Sequence, residues 1–469
     1  MIKLNQVSFS YESREGRQLD QVTFSIPKGS FVLLCGKSAC GKTTVTKCLN
    51  GLIPHFMEGT YEGSVTIGDR AVKSMEMYEI SEKVGSVFQN PKTQFFNLDS
   101  DSELVFGLEN LGVEPKLAKS RLKEVTEDLE IENLLDQSVF DLSSGEKQIL
   151  ALASVYAVNP DVYVLDEPTA NIDRWGIERL HGILKKLKAM GKTVIISEHR
   201  FYFLMDLIDL AVYIDHGKVE HIYSGEEFRA MEEEERIRLG LRCFQIKEKE
   251  SLAADEKTEG LLTVRDAGVG YKKKTILEGI SFGADRGDII AVTGDNGSGK
   301  TAFLRMLCGL MKEKGGSVSF EGKKYPYKKR REICYMTMQD VVHQLFSDSV
   351  REEFSMLNQD VDQKAVMKIL ERLDLIDYAD KHPMTLSGGQ KQRLAIAVAT
   401  ISGKEILIFD EPTSGLDYGN MHSVASLIRG FSKDHIIFVA THDREFLKET
   451  CTREFVLKNG TLQAFRLED

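Results

Sequence analysis

Two stretches of this chain have the residue types and spacing to hold a polyphosphate. GKSACGKT runs from Gly36 to Thr43 and GDNGSGKT from Gly294 to Thr301, both fitting G-x-x-x-x-G-K-[S/T]. Glycines let the backbone fold around an anion, and a following helix N-terminus adds unsatisfied N–H groups and a favourable dipole. Gly36, Lys37, Ser38, Ala39, Cys40 and Gly41 are therefore cradle candidates, as are Gly294, Asp295, Asn296, Gly297, Ser298 and Gly299, with Thr44 and Ala302 just beyond. Lys42 and Lys300 supply a point charge for the β- and γ-phosphates, and Thr43 and Thr301 a hydroxyl for Mg²⁺. Ordinary residue usage yields such a match by chance about 0.02 times in a chain of this size. Two matches in register dispose of chance. Ala39 and Cys40 stand where the second loop has glycine and serine, and Cys40 is either an oxidation-sensitive thiol or a small residue that fits.

Carboxylates follow at matching places. Asp166 and Asp410 end the apolar runs VYVLD and ILIFD, where a carboxylate reaches a metal through water. Glu167 and Glu411 come next and point elsewhere if strand alternation persists, placing a second carboxylate to polarise an attacking water. The repeat extends further: LSSGE from Leu142 recurs as LSGGQ from Leu386, and ISEH ending at His199 recurs as VATH ending at His442. From Leu142 to Asp166 and from Leu386 to Asp410 the separation is the same, 24 residues. From the first loop glycine to that Asp it is 130 against 116 residues, so the extra 14 lie before the LSSGE segment. Helices and connecting loops there are the expected place for the length change.

The elements that must position these groups are legible in outline. SFVLLC and DIIAVT are short buried strands running into the two loops, and KTTVTKCLNGL continues as a helix. TVIIS and IIFVA are further β-rich runs. Strands alternating with helices imply a largely parallel α/β core with ligand sites at the strands' carboxyl ends. The repeat predicts two domains, 1–224 and 260–469, joined by a charged linker over 225–259. In that linker the run Glu232 to Glu235 reads as a solvated helical face.

Bulk properties narrow the partners. A chain of 469 residues with 42% hydrophobic and 28% charged residues has ample core material for several domains. A net charge of −11 argues against a protein that coats nucleic acid, and solvated loops account for the basic stretches Lys272 to Lys274 and Lys328 to Arg331. Seven scattered cysteines without a CxxC pair fit a reducing compartment and supply no zinc or iron–sulfur site. No apolar run approaches the ~18 to 20 residues of a membrane-spanning helix, and the N-terminus lacks the apolar core of a signal peptide. A membrane role is then expected through a partner, with this chain peripheral on the cytoplasmic face.

LSSGE and LSGGQ resemble the signature of ATP-binding-cassette (ABC) ATPases, and the resemblance covers both halves nearly end to end. It implies two phosphate-loop NTPase domains, each a RecA-like core with an antiparallel β subdomain and a helical signature subdomain. It further implies ATP and Mg²⁺ as cofactors and head-to-tail pairing of the two domains within one chain. By the family pattern Lys42, Thr43, Asp166, Glu167, Gln89 and His199 share a site with Ser143's counterpart Ser387 and with Gly389. Lys300, Thr301, Asp410, Glu411, Gln339 and His442 share the other with Ser143 and Gly145. Gln89 and Gln339 would join Thr43, Asp166, Thr301 and Asp410 around Mg²⁺, partly through water. His199 and His442 would contact the γ-phosphate, Tyr11 and Tyr271 would stack on adenine, and Asp173 and Asp417 match the D-loop that crosses between sites. Glu and His are intact in both halves, so hydrolysis is expected at both.

The segment after Gln89, NPKTQFFNLDSDSELVFGLENLG, resembles energy-coupling-factor importers of vitamins and transition-metal ions, and a single-chain fusion is similar to importers of thiamine precursors. The second half keeps Gln339, Gln344 and Phe346 but reads EFSMLN where the first has FGLEN. The resemblance implies docking to a transmembrane coupling protein that works with a substrate-capture membrane subunit. Asp99, Asp101 and Glu103 would receive its arginines, or else form a solvated acidic helix start. Other classes with the same motifs are a sugar or peptide importer and a soluble tandem ATPase acting on ribosomes or nucleic acid. The short acidic linker and absence of clustered cysteines argue against the last.

Overall fold

The computed structural model describes residues 1–12, 16–170, 172–246, 253–271, 274–356 and 362–467. The chain divides into two compact units, Met1–Gln245 and Ile246–Asp469. Each holds one phosphate loop and one full set of the repeated motifs.

In the first unit a six-stranded sheet runs in the order Lys218–Ser224, Leu210–Asp215, Phe31–Cys35, Thr193–Ser197, Val162–Asp166, Val84–Val87. Every pairing is parallel except that of the edge strand Lys218–Ser224. The three central strands are buried along their whole length, which explains why they read as unbroken apolar runs rather than alternating ones. A separate antiparallel sheet joins Leu19–Ile26, Ile2–Tyr11, Gly59–Ile67 and Arg70–Ala71. Here one face is solvated, and Ile2, Leu4, Phe24 and Ile26 alternate inward to pack with the phosphate-loop helix.

The second unit repeats the plan. Its core order is Ala253–Ala254, Thr461–Arg466, Arg453–Lys458, Ile289–Thr293, Ile436–Ala440, Ile406–Asp410, Cys334–Thr337, beside the antiparallel set Lys274–Ala284, Leu262–Tyr271, Ser317–Phe320, Lys323–Lys324. The RecA-like core, antiparallel subdomain and helical signature subdomain expected from the sequence are all present in both units.

The domain limits differ from the expected ones. Residues 225–245 are not linker but belong to the first unit. Phe228 and Leu241 are fully buried there, and Phe244 packs on Phe228 and Phe201 with ring centroids 4.7 and 5.9 Å apart. The acidic run does form the exposed start of the helix Glu233–Arg238. On the far side, Ala253–Ala254 pairs with Thr461–Arg466, and Asp255 is buried against Arg453, so the second unit begins well before residue 260. Residues 247–252 lie outside the described residues.

The extra length of the first half is also placed differently. Eight of the 14 residues fall between Lys42 and Gln89, where Gly59–Ile67 is a nine-residue strand against four in its counterpart Ser317–Phe320. Only six fall in the helical part. Among the described residues no helix is long and apolar enough to cross a membrane.

Candidate functional site

The phosphate loops leave the strands Phe31–Cys35 and Ile289–Thr293 and end at the helices Lys42–Leu49 and Lys300–Leu307. Gly36 and Gly294 have φ of 141° and 137°. A Cβ on either would lie 2.1 Å from the Ile214 carbonyl oxygen or 2.4 Å from that of Leu457, so no side chain fits. Gly41 and Gly299 start the helices in the left-handed region, φ 115° and 103°, leaving the first helical N–H groups facing the loop. Lys42 Nζ donates to the carbonyls of Gly36 and Lys37 at 3.1 and 2.8 Å, and Lys300 Nζ to those of Gly294 and Asp295 at 2.8 and 3.1 Å. Each ammonium is thus held inside the curve of its loop. Lys37, Ser38, Ala39, Asp295, Asn296, Gly297 and Ser298 complete the curve, with Thr44 and Ala302 in the first helical turn.

Cys40 resolves in favour of the packing reading. It is buried, it lies 3.8 Å from Lys42 Nζ, and burial pushes its thiol pKa up, opposing the thiolate that oxidation requires.

Thr43 Oγ1 donates to Asp166 Oδ1 at 3.2 Å, and Thr301 Oγ1 to Asp410 Oδ2 at 3.3 Å. Burial, with Glu167 adding repulsion, pushes the Asp166 carboxyl up to about 6, and burial also raises Asp410. A buried carboxylate next to a second carboxylate is stabilised by a hard cation, and hydroxyl plus carboxylate oxygen is a fitting donor set for Mg²⁺ completed by water and phosphate.

Glu167 and Glu411 do not point away by strand alternation alone. The strands end at Asp166 and Asp410, and each glutamate adopts a left-handed conformation, φ 43° and 51°. Their N–H groups bond the carbonyls of Ser197 and Ala440 at 2.8 and 2.9 Å, which hold that strained turn. Glu167 Oε2 accepts from Gln89 Nε2 at 2.8 Å, and its Oε1 lies 3.4 Å from His199 Nε2. In the second unit His442 Nε2 lies 3.6 Å from Glu411 Oε1. Gln89, Glu167 and His199, far apart in sequence, are one cluster. Gln339 follows Cys334–Thr337 at the position matching Gln89.

The signature segments open the helices Ser144–Val158 and Gly388–Ile401. Ser143 Oγ accepts from Glu146 N at 3.3 Å while Glu146 Oε2 accepts from Ser143 N at 2.8 Å; Ser387 and Gln390 form the same box at 3.4 and 2.8 Å. The last residue of LSSGE and LSGGQ therefore has a structural task that reading Ser143, Gly145, Ser387 and Gly389 alone missed, although S-x-x-E/Q is a recognisable capping box. Asp173 and Asp417 cap the next helices through Gly176 N and Asn420 N at 2.9 and 2.7 Å. Tyr11 ends its strand with its hydroxyl 3.5 Å from Thr44 Oγ1, next to the phosphate-loop helix, whereas Tyr271 ends the equivalent strand half exposed.

The acidic stretch after Gln89 is mostly committed to the fold. Glu103 is buried, and its Oε2 accepts from Phe96 N, Asn97 N and Asn97 Nδ2 at 3.1, 2.9 and 3.2 Å. It cannot present a charge to a partner. Asp99 caps the helix Ser100–Asn110 through Ser102 N at 2.8 Å, a bond that lowers its pKa, and Asp101 accepts from Asp136 N at 2.6 Å. Glu353 repeats the Glu103 role, accepting from Ser347 N at 2.7 Å. Among the basic stretches, Arg330 is fully buried, donating to the Met306 carbonyl at 2.8 Å and pairing with Glu313 at 2.8 Å. Lys272 and Lys273 lie outside the described residues, as do Leu357 and Asn358 of EFSMLN.

A family model described as ABC transporter matches residues 19–170 and 277–414, one match on each unit. The chain belongs to the ABC transporter ATP-binding family. This ABC ATPase is 46% identical over 98% of its length, and 96% of the other's, to a Treponema denticola protein carrying the provisional name ABC transporter ATP-binding protein. At 29% identity, over 98% of this chain and 90% of the other, it is similar to a Bacillus subtilis protein provisionally named HMP/thiamine import ATP-binding protein YkoD. Its fold is like that of the archaeal ribosome recycling factor aABCE1, solved with stalk protein aP1, with a TM-score of 0.67, 23% identity and coverage of 98% of this chain and 90% of that one. As a family member the chain is an ATP-binding phosphate-loop NTPase whose activity is ATP hydrolysis.

Proposed function

We propose that this ATPase is the energy subunit of an importer, most like the energy-coupling-factor type, hydrolysing ATP at two sites to drive a separate transmembrane partner. The observation that carries the membrane-partner reading is a repeated apolar patch beside the Gln89 and Gln339 segments. Phe96 and Phe140 are 75% and 74% exposed, and their sequence counterparts Phe346 and Met384 are 70% and 46% exposed. Half-buried Phe106 stacks on Phe96 with centroids 5.0 Å apart, and its counterpart Met356 is exposed. Large apolar side chains kept in water at equivalent places on both repeats suit a protein contact. Glu103 and Glu353 brace the loops that present them.

The chemistry follows from the clusters. Lys42 and Lys300, with the loop N–H groups, bind the polyphosphate, and Thr43, Asp166, Thr301 and Asp410, with Gln89 and Gln339, would hold Mg²⁺. When bound there, the cation would supply charge neutralisation for the phosphates. Glu167 and Glu411 orient and polarise the attacking water, and His199 and His442 contact the γ-phosphate. In this reading each site is completed by the other unit's signature, Ser387 and Gly389 for the first and Ser143 and Gly145 for the second, with Tyr11 and Tyr271 on adenine. The import name of the Bacillus subtilis relative supports a vitamin-type cargo and makes HMP or thiamine the first to test.

Phe96→Asp with Phe140→Asp, and separately Phe346→Asp with Met384→Asp, should release the membrane partner in pull-down and abolish uptake. Each buried aromatic anchor contributes on the order of 2 kcal/mol to such an interface. Intrinsic ATPase should stay within about twofold, since neither pair touches the Glu167 or Glu411 cluster. Normal uptake by both pairs of variants would sink the docking role.

A further inference from the structure

His199 and His442, the switch histidines that would sense the γ-phosphate, are held by differently wired carboxylates. His199 is preceded by Glu198 and followed by Arg200, whereas His442 is preceded by Thr441 and followed by Asp443. Glu198 is buried, and its Oε1 accepts from both Thr169 N, at 2.9 Å, and Thr169 Oγ1. Its Oε2 accepts the N–H groups of His199 and Arg200 at 2.7 and 3.1 Å. One carboxylate thus ties the backbone of the switch histidine to the loop that follows Glu167.

In the second unit the equivalent threonine, Thr413, donates to Asp443 Oδ2 at 2.8 Å, while Asp443 Oδ1 accepts from Phe446 N at 3.1 Å and caps the helix Arg444–Thr450. His442 N–H donates to Glu411 Oε2 at 3.4 Å. Local structure follows the swap. With Arg200 at the position where Asp443 caps, residues 202–207 are turns rather than a helix.

We infer that Glu198 is a positioning residue of the first ATP site, setting His199 against the γ-phosphate through its grip on the His199 and Arg200 amides and on Thr169. In the second site the backbone of the switch histidine leans on the hydrolytic carboxylate Glu411 itself. The two sites, alike in their motifs, therefore differ in what holds the γ-phosphate sensor. This inference rests on the proposed roles of Lys42 and His199.

Gln at position 198 has the same shape but only one acceptor oxygen. Whichever way its amide turns, an NH₂ faces either the Thr169 N–H or the His199 and Arg200 N–H groups, so half of the grip is lost. The test uses the full chain carrying Lys300→Ala, which closes the second phosphate loop, and titrates a non-hydrolysable ATP analogue and ADP. Glu198→Gln should weaken the analogue about tenfold, the loss of a hydrogen bond to a charged group, while ADP stays within twofold. His199→Ala should do the same, and the double variant should be no weaker than His199→Ala alone. Equal weakening of both nucleotides, additive losses in the double variant, or unchanged analogue affinity would each overturn the inference. Adding Lys42→Ala is the control on the underlying reading: if binding persists, the nucleotide site itself has been misplaced, whatever Glu198 does.

Discussion

Replacing Glu103 with alanine should loosen the loop that carries Phe96 without disturbing the sheet beneath it. A single carboxylate oxygen accepts from Phe96 N, Asn97 N and Asn97 Nδ2 within 3.2 Å, in a side chain only 2% exposed. Hydrogen bonds to a charged acceptor contribute about 1.5–3 kcal/mol each, and water entering the space left by the carboxylate recovers part of that. A net local loss of about 1.5–3 kcal/mol translates into amide exchange roughly ten- to a hundredfold faster at Phe96 and Asn97. Hydrogen exchange read by mass spectrometry on the peptide spanning these residues measures it directly. The amides of Val164 and Leu165, in the buried strand Val162–Asp166, serve as internal reference and should not change. Glu103→Gln retains one acceptor oxygen and should fall between wild type and alanine. Unchanged exchange at Phe96 and Asn97 in Glu103→Ala would refute the bracing role and restore Glu103 as a group free to meet a partner.

Glu167→Gln combined with Glu411→Gln should abolish ATP turnover while nucleotide affinity stays within a few-fold, because the amide keeps the shape but cannot polarise water; undiminished phosphate release would reject both assignments. Without Mg²⁺, Asp166 should make stability fall with rising pH. Its carboxyl is pushed up to about 6 in the fold, against about 3.9 when unfolded, so its contribution is fully present below pH 4 and is lost as pH rises through 6. The loss approaches about 3 kcal/mol, and Asp166→Asn should remove that part of the slope in urea titrations between pH 4 and 7. Identical slopes for the two proteins would show that the carboxyl is not held in its protonated form.

Much of this molecule was legible because its motifs are local. GKSACGKT must curl at glycine and meet a helix, and the runs VYVLD and ILIFD are too short and too apolar to be anything but buried strands. Less was legible where a residue's partner is distant. From the sequence Glu103 reads either as a group for a partner's arginines or as part of a solvated helix start, because nothing local reveals that its oxygen reaches back to Phe96 and Asn97. Arg330 read as one of four basic residues on a loop until Glu313 and Met306 enclosed it. Residues 225–245 read as linker because their charges are contiguous, while Phe228, Leu241 and Phe244, which anchor them, are spaced too irregularly to declare a core.

By itself, then, the sequence determined that this protein has two phosphate loops, two carboxylate pairs and two signature helices in register. Those groups are specified by short-range backbone geometry and fixed spacing. Only the tertiary structure decided which carboxylates gather beside the histidines of the phosphate site and which are spent on bracing the backbone. Glu103, Glu198 and Glu353 are chemically the same as Glu167 and Glu411. What separates them is packing that no spacing along the chain encodes: Glu103, Glu198 and Glu353 are almost fully buried beneath loop backbone, whereas Glu167 and Glu411 lie beside His199 and His442.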